Sequence, residues 1–579
     1  MSAIEMSIIV PPRTTSNGPS SNKEPSLHQT YALKLDTFAF HTHGDSLYTG
    51  EHYRVLSRFL IPPAYPQGNG TANTNDDDFA FTVVHNFSHH KSSRRRETHE
   101  WKSYDVIEEK WKDIKDNCIV FLRGYPSKEW LCRLGVQLDI DYEFFYQHFS
   151  NPSQLILGEN YCLPPLSLIS TGTLQMTFTS IGSWDNHVSG MDLTSSRSQF
   201  EEEFIAYSKD LNRNQEVRLG DSIVRSFYLY DLKHFSVEQI LTIRLLQNDR
   251  YWTLLIWTDS GTLLNQSHRG PWLKIQKQHS SDTRILPVPL HHNKIDIKRL
   301  LSRSTKRQNS RNSNIPATEQ SLAQTLSFLY RDIGDSIDQE LAASDPFYAL
   351  DEVFRLQAAS EHQFLNLMEE KAQKQDQNEG SHQRSISEIH GIKKLVDQHR
   401  RHLCDMLKTI EARGGSTWQR PTNLEQKQVE KTEQAARQLE QTFKSLIDDA
   451  EAVSRICKDE MEMLSNQAVV HEAQKTIDQA EELSKITFIA FIFVPLSFAT
   501  SLFGMNFVEL DGQGHSIWIF FAVAFLVLVF SLVSWWFYSE KRREFRKYLR
   551  MRLSWGHKTP EPATSGLPGP GMGYVAPVP

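Results

Sequence analysis

The chain has 579 residues, enough for several domains. Its 63 Lys and Arg against 70 Asp and Glu give a formal net charge of −7, which argues against a general nucleic-acid binder. Five scattered cysteines, Cys118, Cys132, Cys162, Cys404 and Cys457, are odd in number and read as reduced thiols rather than a disulfide framework.

In chain order, residues 1–30 are rich in Ser, Pro, Asn and Thr with few apolar side chains and read as disordered. Residues 31–300 alternate short β-like and helical runs and predict one mixed α/β domain. Candidate strands are Phe79–Val84, Ile119–Leu122, Leu174–Ser180, Ser226–Leu232 and Tyr251–Trp257, and Leu134–Phe149 is a candidate helix. Residues 301–316 are a polar, basic linker. Residues 317–485 then predict a helical stalk: Leu322–Leu341 and Phe347–Met368 carry apolar residues at three- and four-residue steps. A break at Gln373–Gln383 precedes Ile386–Ile410, which Gly414-Gly415 and Pro421 stop. From Asn423 neither Pro nor Gly appears until Pro495, so one helix is expected from Leu424 through Phe503, ~120 Å long at helical rise. Within it Leu439, Phe443, Leu446, Ala450 and Val453 follow a heptad seam that continues through Cys457 to Leu464, interrupted by Glu460.

Two uncharged apolar runs follow, at residues 486–503 and 517–538. They reach roughly 27 Å and roughly 33 Å as helices, against a hydrocarbon core of about 30 Å. The expectation is two transmembrane helices joined by a short outer loop, residues 504–516. That loop has no Lys or Arg and carries only Glu509 and Asp511. The tail, residues 539–579, opens with Lys541, Arg542, Arg543, Arg546, Lys547, Arg550 and Arg552 before turning Pro- and Gly-rich. Positive charge stays on the cytoplasmic side, so both termini are expected in the cytosol. The first thirty residues lack a basic start followed by an apolar core and have almost no Arg, which disfavours a signal or an organelle presequence and points to the plasma membrane.

On the first run, Thr487, Ala490, Val494, Ser497 and Ser501, with Leu483 just before it, recur at steps of three and four and form one stripe of mostly small or weakly polar residues. Close helix packing and pore lining both fit such a stripe. The opposite face carries Phe488, Ile492, Phe493 and Leu496. The second run is bulky all round, with Trp535, Trp536 and Tyr538 placed as an interfacial belt. One hairpin cannot enclose a pore, so a pore would need several chains around the first helix. Pro495, mid-span, removes a helix hydrogen bond; a tolerated membrane proline and a pore-side adjustment are both open.

The outer end of the first run reads Phe503-Gly504-Met505-Asn506-Phe507, and FIFVPLSFATSLFGMNF as a whole resembles the first span and signature of the CorA-type magnesium channel family. LGVQLDIDYEFFYQHF, residues 134–149, resembles a helical segment of that family's cytosolic domain more weakly. The resemblance implies a divalent cation channel or transporter, most simply for magnesium, built as a funnel-shaped homopentamer with its α/β domains at the wide end. It also implies regulatory magnesium bound between those domains, which no particular residue here can be assigned to hold. The expected fold is thus α+β: a cytosolic mixed α/β domain, a long helical stalk and two C-terminal transmembrane helices. Magnesium prefers octahedral oxygen coordination and sheds its waters reluctantly. A ring of Asn506 side-chain carbonyls with Gly504 backbone carbonyls would bind the hydrated ion, aided by the negative end of the helix dipole. Weak neutral ligands also let the ion leave. Glu509 and Asp511 would concentrate cations, or are simply solvated loop acids.

Two rivals stand beside this reading: a membrane-anchored scaffold that no longer conducts, and transport of zinc, cobalt or nickel. An intact triplet and stripe favour conduction of magnesium. His85, His89, His90 and His99 lie among Ser and Arg without cysteines and read as a solvated loop rather than a zinc site. Arg94-Arg95-Arg96 reads likewise. No phosphate-binding Gly-rich loop and no nucleophile with a paired base is found, so neither an enzyme nor an ATP-driven pump is expected, and no cofactor beyond magnesium itself.

Overall fold

The computed structural model describes residues 26–41, 49–61, 79–87, 97–114, 116–149, 172–184, 193–213, 217–231, 233–247, 251–272, 283–290, 323–373, 386–415, 418, 425–504, 518 and 521–537. The chain divides into two compact units, Met1–Met461 and Glu462–Pro579.

The first unit is organised by one eight-stranded sheet. Its strands are β1 (Thr82–Phe87), β2 (Glu97–Trp101), β3 (Asn117–Arg123), β4 (Thr173–Trp184), β5 (Ser226–Leu229), β6 (His234–Gln247), β7 (Trp252–Thr258) and β8 (Thr283–Ile285). The order is β2-β1-β3-β7-β6-β4-β8, with β5 also paired to β6. Only β3 and β7 run parallel, Cys118 beside Thr253 through Arg123 beside Thr258. These two strands are the most continuously apolar, NCIVFLR and WTLLIWT, as a strand covered on both faces must be. β6 is the spine: it pairs along nearly its whole length with β4, while β5 takes its N-terminal part and β7 its C-terminal part.

Five strands coincide with expected ones, with ends shifted by a few residues; β2, β6 and β8 were not expected. The expected helix Leu134–Phe149 is two, broken by Asp139 at φ 50°. Helices of the first unit are α1 (Leu27–His41), α2 (Arg54–Leu60), α3 (Ile107–Asp113), α4 (Lys128–Gln137), α5 (Tyr142–Phe149), α6 (Leu193–Arg213), α7 (Asp351–Gln373) and α8 (Ile386–Glu411); α9 (Gln426–Gly504) begins in it. On one face of the sheet Val120, Leu122, Leu255 and Trp257 pack with Leu35, Leu56, Trp130, Leu134, Phe144 and Phe145 of α1, α2, α4 and α5. Against β4 lies α7, whose Ser360 hydroxyl donates to Thr179 O at 2.9 Å and accepts from Thr179 N at 3.1 Å.

The expected helix Leu322–Leu341 does not form. Among its described residues there are short turns, Thr325–Phe328, Leu329–Asp332 and Gln339–Ser344. Gly334 sits at φ 82°, and the Asp338 carboxylate accepts from Glu340 N, restarting a helix there. Asp345 does the same for Phe347 and Tyr348, with Pro346 at the first helical position.

Two buried ionic centres tie these layers together. His399 on α8 bonds Glu361 of α7 at 2.8 Å and Glu238 of β6 at 3.3 Å, under the stacked ring of Phe364. Burial alone would lower its pKa, but the two carboxylates outweigh that and raise it to about 10. His148 on α5 stacks on Trp257 and faces Asp259, which Arg225 clasps with both ends of its guanidinium at 2.7 and 2.6 Å. Here burial dominates and takes the imidazole down to about 4.

The heptad seam is occupied within the chain. Leu439, Phe443, Leu446, Ala450, Val453 and Cys457 are all buried, the Phe443 ring meets Phe354 of α7, and Ser454 donates to Asp397 of α8 at 2.9 Å. Arg413 at the end of α8 binds Glu433 and Glu440 of α9. The stalk helices therefore belong to the α/β body up to Met461 instead of forming a separate layer from residue 317. The solvated-loop reading fails for His85, which is fully buried on β1 and bonds Thr98 and Tyr330 O. His99 is a strand residue on β2, opposite Val84. His89, His90, Arg94-Arg95-Arg96, Cys162 and residues 1–25 lie outside the described residues.

Candidate functional site: the first apolar helix segment

The second unit contains the C-terminal part of α9 and a second apolar helix, α10 (Phe521–Phe537). Among the described residues one helix, α9, is long and apolar enough to cross a membrane; α10 is a shorter apolar helix. The two pack side by side. The Phe488 and Trp535 rings lie 5.0 Å apart, and the Ser531 hydroxyl donates to Phe491 O at 2.8 Å. Leu496 shares an apolar groove with Trp518, Phe521 and Phe525.

That packing gives α9 two distinct faces. Ser484, Phe491, Ile492 and Pro495 are half-buried and Ala499 is only 1% exposed, marking the side against α10. The stripe anticipated from sequence lies elsewhere on the cylinder. Leu483 and Val494 are each 64% exposed, and Thr487, Ala490, Ser497 and Ser501 are exposed as well. No stripe residue is spent on the in-chain helix contact. Of the bulky face, Phe488 and Ile492 turn to α10, whereas Phe493 is exposed.

The hydroxyls of the stripe have a defined polarity. Thr487 donates to Leu483 O at 2.7 Å and Ser497 to Val494 O at 3.0 Å. Each has given its proton to the backbone, so what remains is oxygen lone pairs.

Pro495 is half-buried on the α10 side of α9, away from the exposed stripe. Gly504 ends α9, is exposed, is not among the residues with positive φ, and would meet nothing within 4 Å if given a Cβ. Met505, Asn506, Glu509 and Asp511, the rest of the loop and the basic tail lie outside the described residues. Among the described residues no cluster of three or more His, Cys, Asp or Glu could hold a metal ion. Sequence reasoning missed Ser531 and Ala499. The only prior signal for Ser531 was Pro495, which leaves a carbonyl four residues earlier in search of a donor.

Residues 319–543 match the family model described as CorA-like Mg2+ transporter protein, so the segment bearing the stripe and the apolar helices is a CorA-like Mg2+ transporter domain. The match covers less than half of the chain. No curated protein matches the chain. Among solved structures, the complete CorA magnesium transporter from Methanocaldococcus jannaschii is similar at 10% identity and a TM-score of 0.34, covering 78% of this chain and 96% of that chain.

Proposed function

We propose that the protein conducts magnesium into the cytosol through a pore lined by the first span of each subunit in a homo-oligomer, with the hydrated ion selected at Gly504-Met505-Asn506. The observation that carries this reading is the unused stripe Leu483, Thr487, Ala490, Val494, Ser497 and Ser501, exposed in the single chain while another face of the same helix is covered by α10. A small, weakly polar face left bare beside lipid is best buried against copies of itself. The series also extends backwards at the same alternation through Ala480, Thr476, Ala473 and Val469, all exposed. That extension moves the expected contact between copies down-chain from the Leu439–Leu464 seam, whose first part is already filled.

Five copies are taken from the family resemblance, as are regulatory magnesium ions on the cytosolic domains. Two spans, with both termini cytosolic and the plasma membrane as residence, follow from the apolar run lengths, the charge asymmetry and the character of the N-terminus. Asn506 side-chain carbonyls and Gly504 backbone carbonyls would hold the hydrated ion, with Met505 between them. Glu509 and Asp511 would draw cations to the mouth. The test is cation uptake into liposomes holding the purified protein, with its native mass taken from the same preparation. An oligomer that passes magnesium faster than zinc, cobalt or nickel is expected. A monomer, or an oligomer passing none of these ions, would leave a membrane-anchored scaffold.

A further inference from the structure

Proline has no N–H, so within a helix the carbonyl four residues before it loses its donor. In α9 that proline is Pro495 and the carbonyl is Phe491 O. The helix nevertheless continues unbroken to Gly504. In a hydrocarbon environment no water can take the vacant place, and a neighbouring helix must.

The hydroxyl of Ser531 on α10 does so, at 2.8 Å from Phe491 O. A serine inside a helix ordinarily turns its hydroxyl back to its own backbone. Thr487, Ser497 and Thr500 of α9 follow that habit, bonding Leu483, Val494 and Ser497 carbonyls. Ser531 instead reaches across to the other helix, and the carbonyl it reaches is the one Pro495 leaves free. Pro495 and Phe491 are both half-buried on the α10 side, with Ala499 fully buried one turn on. The polar contact and the close packing therefore coincide on one face.

We infer that Ser531 is a positioning residue of the transport pathway: by donating to the carbonyl vacated at Pro495, it fixes the second helix to the middle of the first and holds the Leu483–Ser501 stripe in its orientation. The inference rests on the pore reading for its consequence in transport, but the hydrogen bond itself does not.

The experiment is a double-mutant cycle on the full-length protein in detergent and liposomes, using Ser531→Ala, Ser531→Thr, Pro495→Ala and the pair Ser531→Ala with Pro495→Ala. Thermal stability and magnesium flux per assembled protein are both read. Ser531→Ala is expected to lower the melting temperature and to cut flux roughly threefold, the size of one interhelical hydrogen bond in a membrane. Ser531→Thr, which keeps the hydroxyl, should restore both. Pro495→Ala returns an N–H to Phe491 O, so in that background Ser531→Ala should have little further effect on stability. An equal effect of Ser531→Ala in both backgrounds, or none in the wild-type background, would overturn the inference. If the wild type carries no flux, the pore reading falls, while the stability cycle still decides the hydrogen bond.

Discussion

His399 and His148 are both deeply buried yet hold their protons in opposite ways, because one faces two carboxylates and the other faces a carboxylate already clasped by arginine. For His399 the folded pKa, about 10, lies above the ordinary 6.5. The stability it contributes is complete below 6.5 and is lost as pH rises through 10. For His148 the folded value, about 4, lies below 6.5, so its contribution is complete above 6.5 and is lost as pH falls towards 4. Thermal stability should therefore pass through a maximum near neutrality. His399→Gln should lower the melting temperature by several degrees at pH 7 and flatten the decline between pH 7 and 10, since it leaves Glu361 and Glu238 without their cation. Parallel wild-type and His399→Gln curves over that range would show that the imidazolium is not what the carboxylates hold. Neither histidine was legible in the sequence: their partners lie 38 to 161 residues away for His399 and 77 or more for His148, and no spacing rule joins them. His85 misled because the sequence groups it with His89, His90 and His99 among Ser and Arg, although Val83 and Val84 precede it and its neighbours in space are Thr98, Phe121 and Tyr330.

Among elements, long periodic segments were readable and short or mixed ones were not. The helix expected at Leu424–Phe503 is observed at Gln426–Gly504, since nothing in between except Pro495 interrupts it. β6 escaped because HFSVEQILTIRLLQ places Glu238 and Gln239 in mid-strand. Their partners are His399 and the Ile223 carbonyl, contacts that only the fold supplies. Leu322–Leu341 misled in the other direction: its apolar spacing is helical, but Gly334 and the capping carboxylate of Asp338 divide it. The stripe on α9 was legible as a stripe because small residues at three- and four-residue steps share a face whatever the partner. Which side α10 covers was not legible, because α10 is bulky and apolar nearly all round, with only Ser531 and Ser534 polar among residues 521–537. If residues 504–516 are the outer loop between two spans, a cysteine placed at Gln513 should react with an impermeant thiol reagent in intact cells. A cysteine at Ser539 should stay silent. Labelling at Ser539 in place of Gln513 would reverse the proposed orientation.

At the scale of the whole molecule, the chain consists of a sheet-centred unit and a unit holding a pair of apolar helices. The first unit, Met1–Met461, buries His399 between two carboxylates and Arg225 against Asp259, and fills the Leu439–Cys457 part of the heptad seam from within the chain. The second unit leaves one helix face bare, and that face carries hydroxyls whose protons are already committed to the backbone. In the proposed function, transport would depend on a ring of such faces and on the neutral oxygens proposed at its outer end. The most direct test is magnesium flux through Asn506→Ala in liposomes, compared with wild type at equal amounts of assembled oligomer. The account expects near-complete loss of flux with oligomer yield unchanged. Normal magnesium uptake by a well-assembled Asn506→Ala variant would contradict it.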